Sequence, residues 1–261
     1  MAKEQTANVA TEENEDYLDE LAGQGYEGLR TSDYVMPFLR VLQANSPEVA
    51  EGDPAYVPGA KPGVFFNTLT KEVYGSTIEV LPIRQDVVWL EYTPKVGDKR
   101  GDFQGKHSVG SVSVMGNVYD GMHRTDNGND IKETLVFYVL LKGRETDLPL
   151  VFSLTSSMIK HGKAWNSLIY TVRTPSGKQA AYFSSYWRLS LVLEIGDKGR
   201  WFNIGLRSAN VERTGFVSRD VLALAANTRK LLDADSVRAD FAQITDGEIQ
   251  SEQAIMKDIP F

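Results

Sequence analysis

Apolar residues recur in short, strand-like runs from Pro37 onward, whereas the first thirty residues of the chain carry few of them. Runs such as ETLVFYVLL and LPLVFSLT are rich in β-branched and aromatic residues, which favours strands. Turn-forming residues separate the runs, and GDKG between AAYFSSYWRLSLVLEI and RWFNIGLRSANV is typical of a β-hairpin. The pattern predicts about six or seven strands, with a turn near Thr70 and a bend at Pro82.

Two further segments place apolar residues at helical spacing. The first, TSSMIKHGKAWNSLIYTV, lies between predicted strands, with Thr155 or Ser156 as its expected N-cap and Gly162 as a weak position inside it. The second, residues 218–243, follows the last predicted strand and begins at the expected N-cap Ser218. Strands interrupted by one helix and followed by another match the order of an OB-fold. We therefore expect a mainly β protein, an elaborated OB-fold whose antiparallel barrel has an inserted helix and a C-terminal helix.

Charge is distributed unevenly along the chain. Residues 1–30 hold eight acidic and two basic residues, and residues 243–261 hold four acidic residues and one basic residue. Since the formal net charge of the whole chain is −7, residues 31–242 carry a charge of +2. We expect an acidic, largely disordered segment over 1–30, a globular core over 31–242 and an acidic flexible tail over 243–261. Two interpretations of the acidic ends remain open: they keep the protein soluble, or they compete with a polyanion for the basic core.

Composition excludes several classes of site. The chain has no cysteine, which removes disulfides, thiolate metal ligands and a cysteine nucleophile, and fits a reducing cytoplasm. The three histidines do not stand at metal-ligand spacing, and no phosphate-binding loop motif is present. We therefore expect no enzymatic activity and no cofactor. The sequence contains no long apolar stretch, so no membrane span is expected, and its acidic N-terminus does not read as a signal peptide.

Many aromatic residues stand beside lysine or arginine, as in KHGKAW, YTVR, SSYWRLS and GRWFN. Single-stranded nucleic acid is held by this combination, because cations follow the phosphates and aromatic faces stack on unpaired bases. For each aromatic residue taken singly, the alternative is that it fills the interior of the barrel. Strand alternation predicts that Tyr186 and Arg188 lie outside and that Trp187 lies in the core.

A Gly-rich stretch between Lys95 and Glu133 has no clear strand or helix pattern and begins with basic residues. Long irregular loops in compact domains are usually either functional or disordered. We predict that residues 97–125 form a flexible loop that grips DNA. With positions from the strands and the first helix, the predicted DNA-binding residues are Trp89, Tyr92, Lys95, Lys99, Arg100, Phe103, Lys106, Arg124, Lys160, Lys163, Tyr186 and Arg188.

The chain ends in Asp258, Ile259, Pro260 and Phe261. This end resembles the C-terminal tip of bacterial single-stranded DNA-binding proteins, although Lys257 stands where we expect another acidic residue. The resemblance implies an OB-fold that binds the DNA strand and a tip that docks replication and repair enzymes. A partner pocket would bury the Phe261 ring while an arginine pairs with its α-carboxylate. The alternative is a last strand that packs on the core.

Residues 37–207 are similar to a group of divergent phage-encoded single-stranded DNA-binding proteins, in segments such as GVFFNTLTKEVYG and YWRLSLVLEIGDKGRWFNIGL. The resemblance implies a role in phage DNA replication or recombination, in the cytoplasm of the infected bacterium. We therefore expect sequence-independent binding and protection of single-stranded DNA, with the tip recruiting replication, recombination and repair enzymes. One alternative is a phage virion or structural β-protein without nucleic-acid affinity. Another is a nuclease or recombination mediator, in which paired acids such as Asp126 and Asp130 bind a metal.

Overall fold

The chain divides into two compact units, residues 1–34 and residues 35–261. The computed structural model describes residues 34–94, 101–108, 117–119, 122–155, 158–196, 199–205 and 210–233, together with Tyr17, Glu20, Leu21 and Gln24. Within the first unit, Tyr17 and Glu20 are helical, and the Leu21 amide donates to the Tyr17 carbonyl oxygen at 3.2 Å.

Within the described ranges, the second unit contains twelve β-strands and two α-helices. The strands are β1 (Leu39–Val41), β2 (Phe65–Asn67), β3 (Val73–Gly75), β4 (Thr77–Tyr92), β5 (Phe103–His107), β6 (Asn117–Tyr119), β7 (Met122–Arg124), β8 (Asp130–Leu141), β9 (Leu150–Thr155), β10 (Ser185–Gly196), β11 (Gly199–Ile204) and β12 (Val211–Phe216). The helices are α1 (Ile159–Thr171) and α2 (Arg219–Asp233), and a 3₁₀ turn spans Pro47–Val49. Strands β1 to β3 form a small antiparallel sheet. The other nine form one large sheet in the order β11-β10-β4-β8-β7-β6, with β12 also paired to β10, β5 to β4 and β9 to β8.

Strand β8 shows why the large sheet has a layer on each face. Its C-terminal half, LVFYVLL, is apolar without alternation, which is typical of a strand that is buried on both faces. Leu135 and Phe137 belong to the core that α1 covers, where the Trp165 ring stacks on Phe137 at 4.6 Å. Val136 and Tyr138 belong to a second core, which α2 covers.

The mainly β, antiparallel class with two helices is confirmed, whereas the expected closed barrel is wrong for the described strands. Strands β11 and β6 end the sheet order, and they do not pair with each other among the described residues. A strand that is apolar on both faces needs a second layer of protein, which the outside of a small barrel does not supply. The sheet is therefore open, with a core on each side.

Several strands lie where the sequence predicts them. Lys71 turns the β2–β3 hairpin with a φ of 61°, β4 has a register shift between Pro82 and Arg84, and β10 and β11 form the expected hairpin. The prediction of an irregular loop over 97–125 is wrong in part, because β5 pairs with β4 and β6 pairs with β7. Strand β12, which the sequence pattern did not assign, pairs with the first half of β10.

Helix α1 begins without the expected hydroxyl cap. Its N-cap is Met158, no side chain hydrogen-bonds there, and Thr155 is the last residue of β9. At Gly162 the helix lies close against the sheet, because a Cβ atom there would lie 2.8 Å from a methyl carbon of Leu135 and of Leu154. The glycine that weakens the helical pattern in the sequence therefore permits the packing of α1.

Helix α2 has the cap that the sequence predicts. The Ser218 hydroxyl accepts a hydrogen bond from the Val221 amide at 3.3 Å. Ala225 and Leu232 of this helix are buried in the second core. The predicted continuation of the helix beyond Asp233 lies outside the described residues.

A side chain closes the outer edge of β11. The buried Gln43 amide donates from Nε2 to the Phe202 carbonyl oxygen and accepts from the Phe202 amide at Oε1, both at 2.8 Å. Gly63 lies against the same residue, because a Cβ atom there would lie 2.5 Å from the Phe202 ring, and its φ of 79° favours glycine. Gln43 thus binds to the edge of β11 as a neighbouring strand would.

Candidate nucleic-acid interface

Seven of the predicted functional residues lie outside the described residues. They are Lys95, Lys99 and Arg100 of the basic stretch and Asp258, Ile259, Pro260 and Phe261 of the tip. The other predicted residues lie on β4, β5, β7, α1 and β10.

Arg188 lies in a row of alternating charges that starts at β12, crosses β10 and β4, and ends just after β8. Its guanidinium group lies 2.8 Å from Glu79 and 3.1 Å from Glu212, and the Lys142 ammonium group lies 2.5 Å from Glu79. The hydrogen bond from Lys142, together with Arg188, lowers the pKa of the Glu79 carboxyl group. We call these four residues the charge ladder. A phosphate that reached Arg188 would compete with two carboxylates that already bind it.

Tyr186 extends the same surface. Its hydroxyl donates a hydrogen bond to Glu145, and the Lys142 ammonium group lies 5.4 Å from its ring centre. Burial, and then the hydrogen bond to Glu145, raise the pKa of the Tyr186 hydroxyl. The predicted alternation is confirmed at the next two positions, because Trp187 is buried and Arg188 is exposed.

The aromatic residues predicted to bind DNA near the end of β4 pack against protein. Tyr92 is 2% exposed, and its ring is tilted against Phe103 with the ring centres 5.8 Å apart. Trp89 is half-buried, with its ring edge-on to His123 at 4.8 Å. The predicted stacking role of Tyr92 is wrong, because a ring buried in the second core does not offer its face to a base.

Three more of the predicted cations face carboxylates. Arg124 lies 3.0 Å from Asp130, Lys160 lies 3.7 Å from Glu194, and Lys163 lies 3.4 Å from Glu133. Lys106 is exposed on β5. Lys160 and Lys163 form exposed ion pairs, which contribute only about 0–1 kcal/mol each. A phosphate that displaces one carboxylate there costs less than one that displaces the two carboxylates that bind Arg188. These contacts remain predictions.

A polar cluster that the sequence did not predict lies at the same end of β4. Asn129 Nδ2 donates to Glu91 Oε1 at 2.6 Å, and His107 Nε2 lies 2.6 Å from Glu91 Oε2. The hydrogen bond from Asn129 and the contact with His107 lower the pKa of the Glu91 carboxyl group. The cluster ties β5 and the turn between β7 and β8 to β4. In the part of the chain that the structure describes, no group of three or more His, Asp or Glu side chains is placed to hold a metal ion.

An open groove of about 370 Å³ lies between the C-terminal end of α1 and strand β12. One side consists of Leu168, Thr171, Val172 and Arg173, the other consists of Val211, Glu212 and Arg213, and Trp187 of β10 also lines it. Its volume is within the range of ~300–1,000 Å³ that is usual for small-ligand sites. We call it the α1–β12 groove.

Each side of the α1–β12 groove carries an arginine beside an exposed aromatic ring. The Arg213 guanidinium carbon lies 4.6 Å from the ring centre of Phe216, which is 46% exposed. The Arg173 guanidinium carbon lies 6.0 Å from the ring centre of Tyr170, which is 64% exposed. Arg173 also donates to the Tyr170 carbonyl oxygen at 2.8 Å, at the end of α1. Unlike Arg188, neither arginine forms an ion pair with any described residue.

The three-residue spacing of both arginine–aromatic pairs is visible in the sequence, but it was not used to predict the site. Tyr170 and Arg173 stand three residues apart at the end of a helix, where such residues are neighbours. Arg213 and Phe216 are also three residues apart, on a strand whose pairing with β10 shifts by one residue between them. The segment YTVR was noted as an aromatic–basic pair, whereas VERTGF was not assigned to any element.

The opposite end of α1 is held by a buried histidine. His161 has no exposed side-chain surface, and its Nε2 atom lies 3.2 Å from Glu194 Oε1. Burial lowers the pKa of His161 despite the nearby carboxylate. Glu194 also accepts a hydrogen bond from the Trp201 indole at 3.1 Å. The N-terminal end of α1 is therefore fixed to the β10–β11 hairpin, while its C-terminal end forms the groove.

None of the helices in the described ranges is long and apolar enough to cross a membrane. No curated protein and no solved structure matches the chain. Residues 3–238 match the protein family described as "Pam3 phage gp34-like protein". The match spans all the strands and helices named above for the described ranges, and both sides of the α1–β12 groove. The chain therefore belongs to the Pam3 phage gp34-like family.

Proposed function

We propose that the chain binds single-stranded DNA without sequence preference and that the α1–β12 groove is its main contact surface. The observation that carries the proposal is the pair of arginine–aromatic contacts, Arg173 with Tyr170 and Arg213 with Phe216. Arginines that are not paired with carboxylates can bind phosphates, and exposed rings stack on bases at ~1–3 kcal/mol each. Membership of a phage family supports a role in phage biology, and we propose that this role lies in phage DNA replication, recombination or repair.

The acidic tail extends this proposal. Residues 243–261 carry four acidic residues and one basic residue, which suits competition with DNA for a basic surface. We expect that residues 258–261 recruit replication, recombination and repair enzymes through the aromatic ring and the acidic groups. Deleting residues 243–261 should tighten oligonucleotide binding or leave it unchanged in a titration. Abolished binding would mean that the segment belongs to the core.

The basic stretch is a second proposed contact region. Replacing Lys99, Arg100 and Lys106 with alanine together should flatten the salt dependence of binding by up to ~2 units of log–log slope, at ~0.7 per phosphate contact. An unchanged slope would remove this region from the interface.

A relationship to the OB-fold also remains a proposal. It is supported by the position of α1 between β9 and β10 and by the long strand β4, which pairs with β10, β8 and β5 along its length. The proposed function does not depend on it, because the groove is formed by α1, β10 and β12 alone.

The test of the function is a fluorescence-anisotropy titration of labelled oligo-dT with the full chain at several salt concentrations, with a duplex of equal length as competitor. We expect salt-sensitive binding that the duplex does not compete away. The Arg173→Ala/Arg213→Ala variant should bind more weakly, with a log–log slope smaller by up to ~1.4. A matched control is Arg144→Ala, because Arg144 is exposed, paired with Glu72 at 2.6 Å and not part of the groove.

Three outcomes would contradict the proposal. An absence of binding at low salt would refute single-strand binding, and stable multimers without oligonucleotide affinity would favour the virion or structural alternative. Equal weakening by Arg144→Ala and by the double variant would show that the groove is not the contact surface.

A further inference from the structure

The hydrogen bonds of β10 determine which backbone groups of β12 face outward. The Ser190 amide donates to the Asn210 carbonyl oxygen at 2.8 Å, on the side of β12. The next amide, of Leu191, donates to the Ser76 carbonyl oxygen at 2.9 Å, on the side of β4. Alternate residues of β10 therefore point their backbone groups to opposite neighbours, as they do in any antiparallel sheet.

The register carries this alternation onto β12. Arg188 pairs with Glu212, two residues along from the bond between Ser190 and Asn210, so the Glu212 backbone faces β10. The backbone N–H and C=O groups of Val211 and Arg213 consequently face away from β10. No strand in the described ranges pairs with that outer edge of β12.

Both residues whose backbone groups face outward also line the α1–β12 groove. Val211 and Arg213 belong to its β12 side, and Leu168 and Val172 belong to its α1 side. A base that entered the groove and reached past these side chains would meet backbone donors and acceptors in addition to the two arginine–aromatic contacts. Each outward residue offers one N–H donor and one C=O acceptor.

The Watson–Crick edge of a base complements such a residue. Thymine places its N3–H donor beside its O4 acceptor, and the other bases also place a donor beside an acceptor on this edge. In a duplex the partner strand occupies these groups, whereas in a single strand they are available to protein. Since every base offers a donor beside an acceptor, contacts with the protein backbone do not require a particular DNA sequence.

We propose, on the basis of the single-strand binding proposed above, that the outer edge of β12 hydrogen-bonds to the Watson–Crick edges of bases held in the α1–β12 groove. Duplex DNA is then rejected because its bases have no free Watson–Crick edge, and not only because acidic residues repel it. The competing arrangement uses stacking and phosphate contacts alone, and it is insensitive to the Watson–Crick edge.

The test compares three oligonucleotides in anisotropy titrations with the full chain: oligo-dT, oligo-dU, and oligo-dT in which several thymines carry a methyl group on N3. The N3-methyl group removes the donor and blocks the edge, while the stacking face and the phosphates remain. We expect the N3-methylated strand to bind about tenfold more weakly, from one or two lost hydrogen bonds. Oligo-dU is the matched control, because it loses a methyl group away from this edge, and we expect its affinity within about twofold of oligo-dT.

The outcomes separate this inference from the function on which it rests. Equal affinity for oligo-dT and its N3-methylated form would overturn the inference while single-strand binding stands. Failure of all three oligonucleotides to bind would refute the proposed function itself.

A pair of protein variants tests the assigned residue. Arg213→Pro removes the outward N–H together with the side chain, whereas Arg213→Ala removes the side chain only, and proline is tolerated on strand edges. We expect Arg213→Pro to bind oligo-dT more weakly than Arg213→Ala, and the two to bind the N3-methylated strand equally. Equal affinity of the two variants for oligo-dT would overturn the role of the Arg213 backbone. If circular dichroism shows that the proline variant does not fold, the comparison of oligonucleotides with the unmodified chain still decides.

Discussion

The charge ladder and the α1–β12 groove share strand β12, yet they hold their arginines in different ways. In the ladder, Arg188 lies between two carboxylates, Glu79 and Glu212. In the groove, Arg213 directly follows Glu212 in the sequence but lies beside the ring of Phe216. Successive residues of a strand point to opposite faces of the sheet. One step along β12 therefore moves from the carboxylate that neutralises Arg188 to an arginine that forms no ion pair with any described residue.

The difference shows that a basic residue beside an aromatic residue in the sequence does not by itself mark a nucleic-acid surface. SSYWRLS has both residue types, but its tyrosine and arginine are bound to acidic residues from three other segments of the chain. VERTGF looks less promising in the sequence, yet its arginine has an aromatic neighbour and no carboxylate among the described residues. Whether a basic side chain is available to nucleic acid depends on which residues the fold brings next to it.

The largest effect is expected from charge reversal in the groove. Arg173→Glu combined with Arg213→Glu should weaken oligo-dT binding by about 100-fold, because two positive charges proposed to contact phosphates become negative. The control with the same charge change is Lys61→Glu combined with Arg144→Glu, since both side chains are exposed and neither lines the groove. Anisotropy titrations measure both, and a similar loss in the control would mean that only net charge matters.

A smaller effect is expected from matched tyrosine substitutions. Tyr170→Ala removes an exposed ring beside the groove and should weaken binding by about tenfold. Tyr186→Ala removes a ring whose hydroxyl is bound to Glu145, so it should lower the melting temperature and leave affinity nearly unchanged. If Tyr186→Ala weakens binding as much as Tyr170→Ala does, the sequence prediction for Tyr186 is right and the distinction between the two surfaces fails.

Single arginine substitutions sharpen the comparison through the salt dependence. Arg213→Ala should reduce the log–log salt slope by ~0.7, the contribution of one phosphate contact. Arg188→Ala should leave the slope unchanged, because the Arg188 guanidinium group is held by two carboxylates. A decrease of the slope in both variants would place the ladder in the interface as well.

Acid should affect the two regions in different pH windows. The pKa of Glu79 is lowered from 4.5, so the ladder stabilises the fold above that pH and loses this contribution as the pH falls below it. The pKa of His161 is lowered from 6.5, so the unfolded chain takes up a proton first and stability falls as the pH drops below 6.5. Thermal unfolding between pH 7 and 3 should therefore show two separate losses.

Glu79→Gln separates those losses. It should reduce the loss below pH 4.5, part of which remains because the pKa of Glu91 is also lowered, and leave the loss below pH 6.5 intact. The cost at higher pH should be about 0.2–1 kcal/mol per ion pair. Oligonucleotide affinity should follow only the loss that begins at pH 6.5, because His161 anchors the helix that forms one side of the groove. If Glu79→Gln removed both losses of stability, the two regions would unfold as one unit.

The positions of many strands could be predicted because each depends on a few consecutive residues. The cap at Ser218 is local in this sense and is confirmed. At Pro82, where a bend was predicted, the pairing of β4 with β8 shifts in register. Whether the sheet closes into a barrel depends on residues that are distant along the chain. Tyr138 belongs to the second core and not to the core that α1 covers. The element that covers it is α2, which begins about eighty residues later. The apolar run around Tyr138 indicated a buried strand but not which element covers its second face.

The candidate site was harder to predict from the sequence, because it too depends on residues that are distant along the chain. Trp187 and Arg188 were assigned to the correct faces by alternation, which is a local rule. The carboxylates that neutralise Arg188 come from β4 and β12, and no spacing in the sequence indicates that they meet there. The groove likewise requires the end of α1 to lie beside β12, some forty residues further along the chain.

The Gln43 amide covers the outer edge of β11 at Phe202, whereas no strand in the described ranges covers the outer edge of β12. The two edges therefore differ in how readily another molecule could pair with them. Because the Gln43 amide occupies both backbone groups of Phe202, a second molecule cannot add a strand at that point of β11. A glutamate at this position would still accept from the Phe202 amide but would turn a carboxylate oxygen toward its carbonyl oxygen, and the edge would become available for pairing between molecules. The first consequence of such a change would be loss of solubility at high concentration, before any change in the proposed oligonucleotide binding.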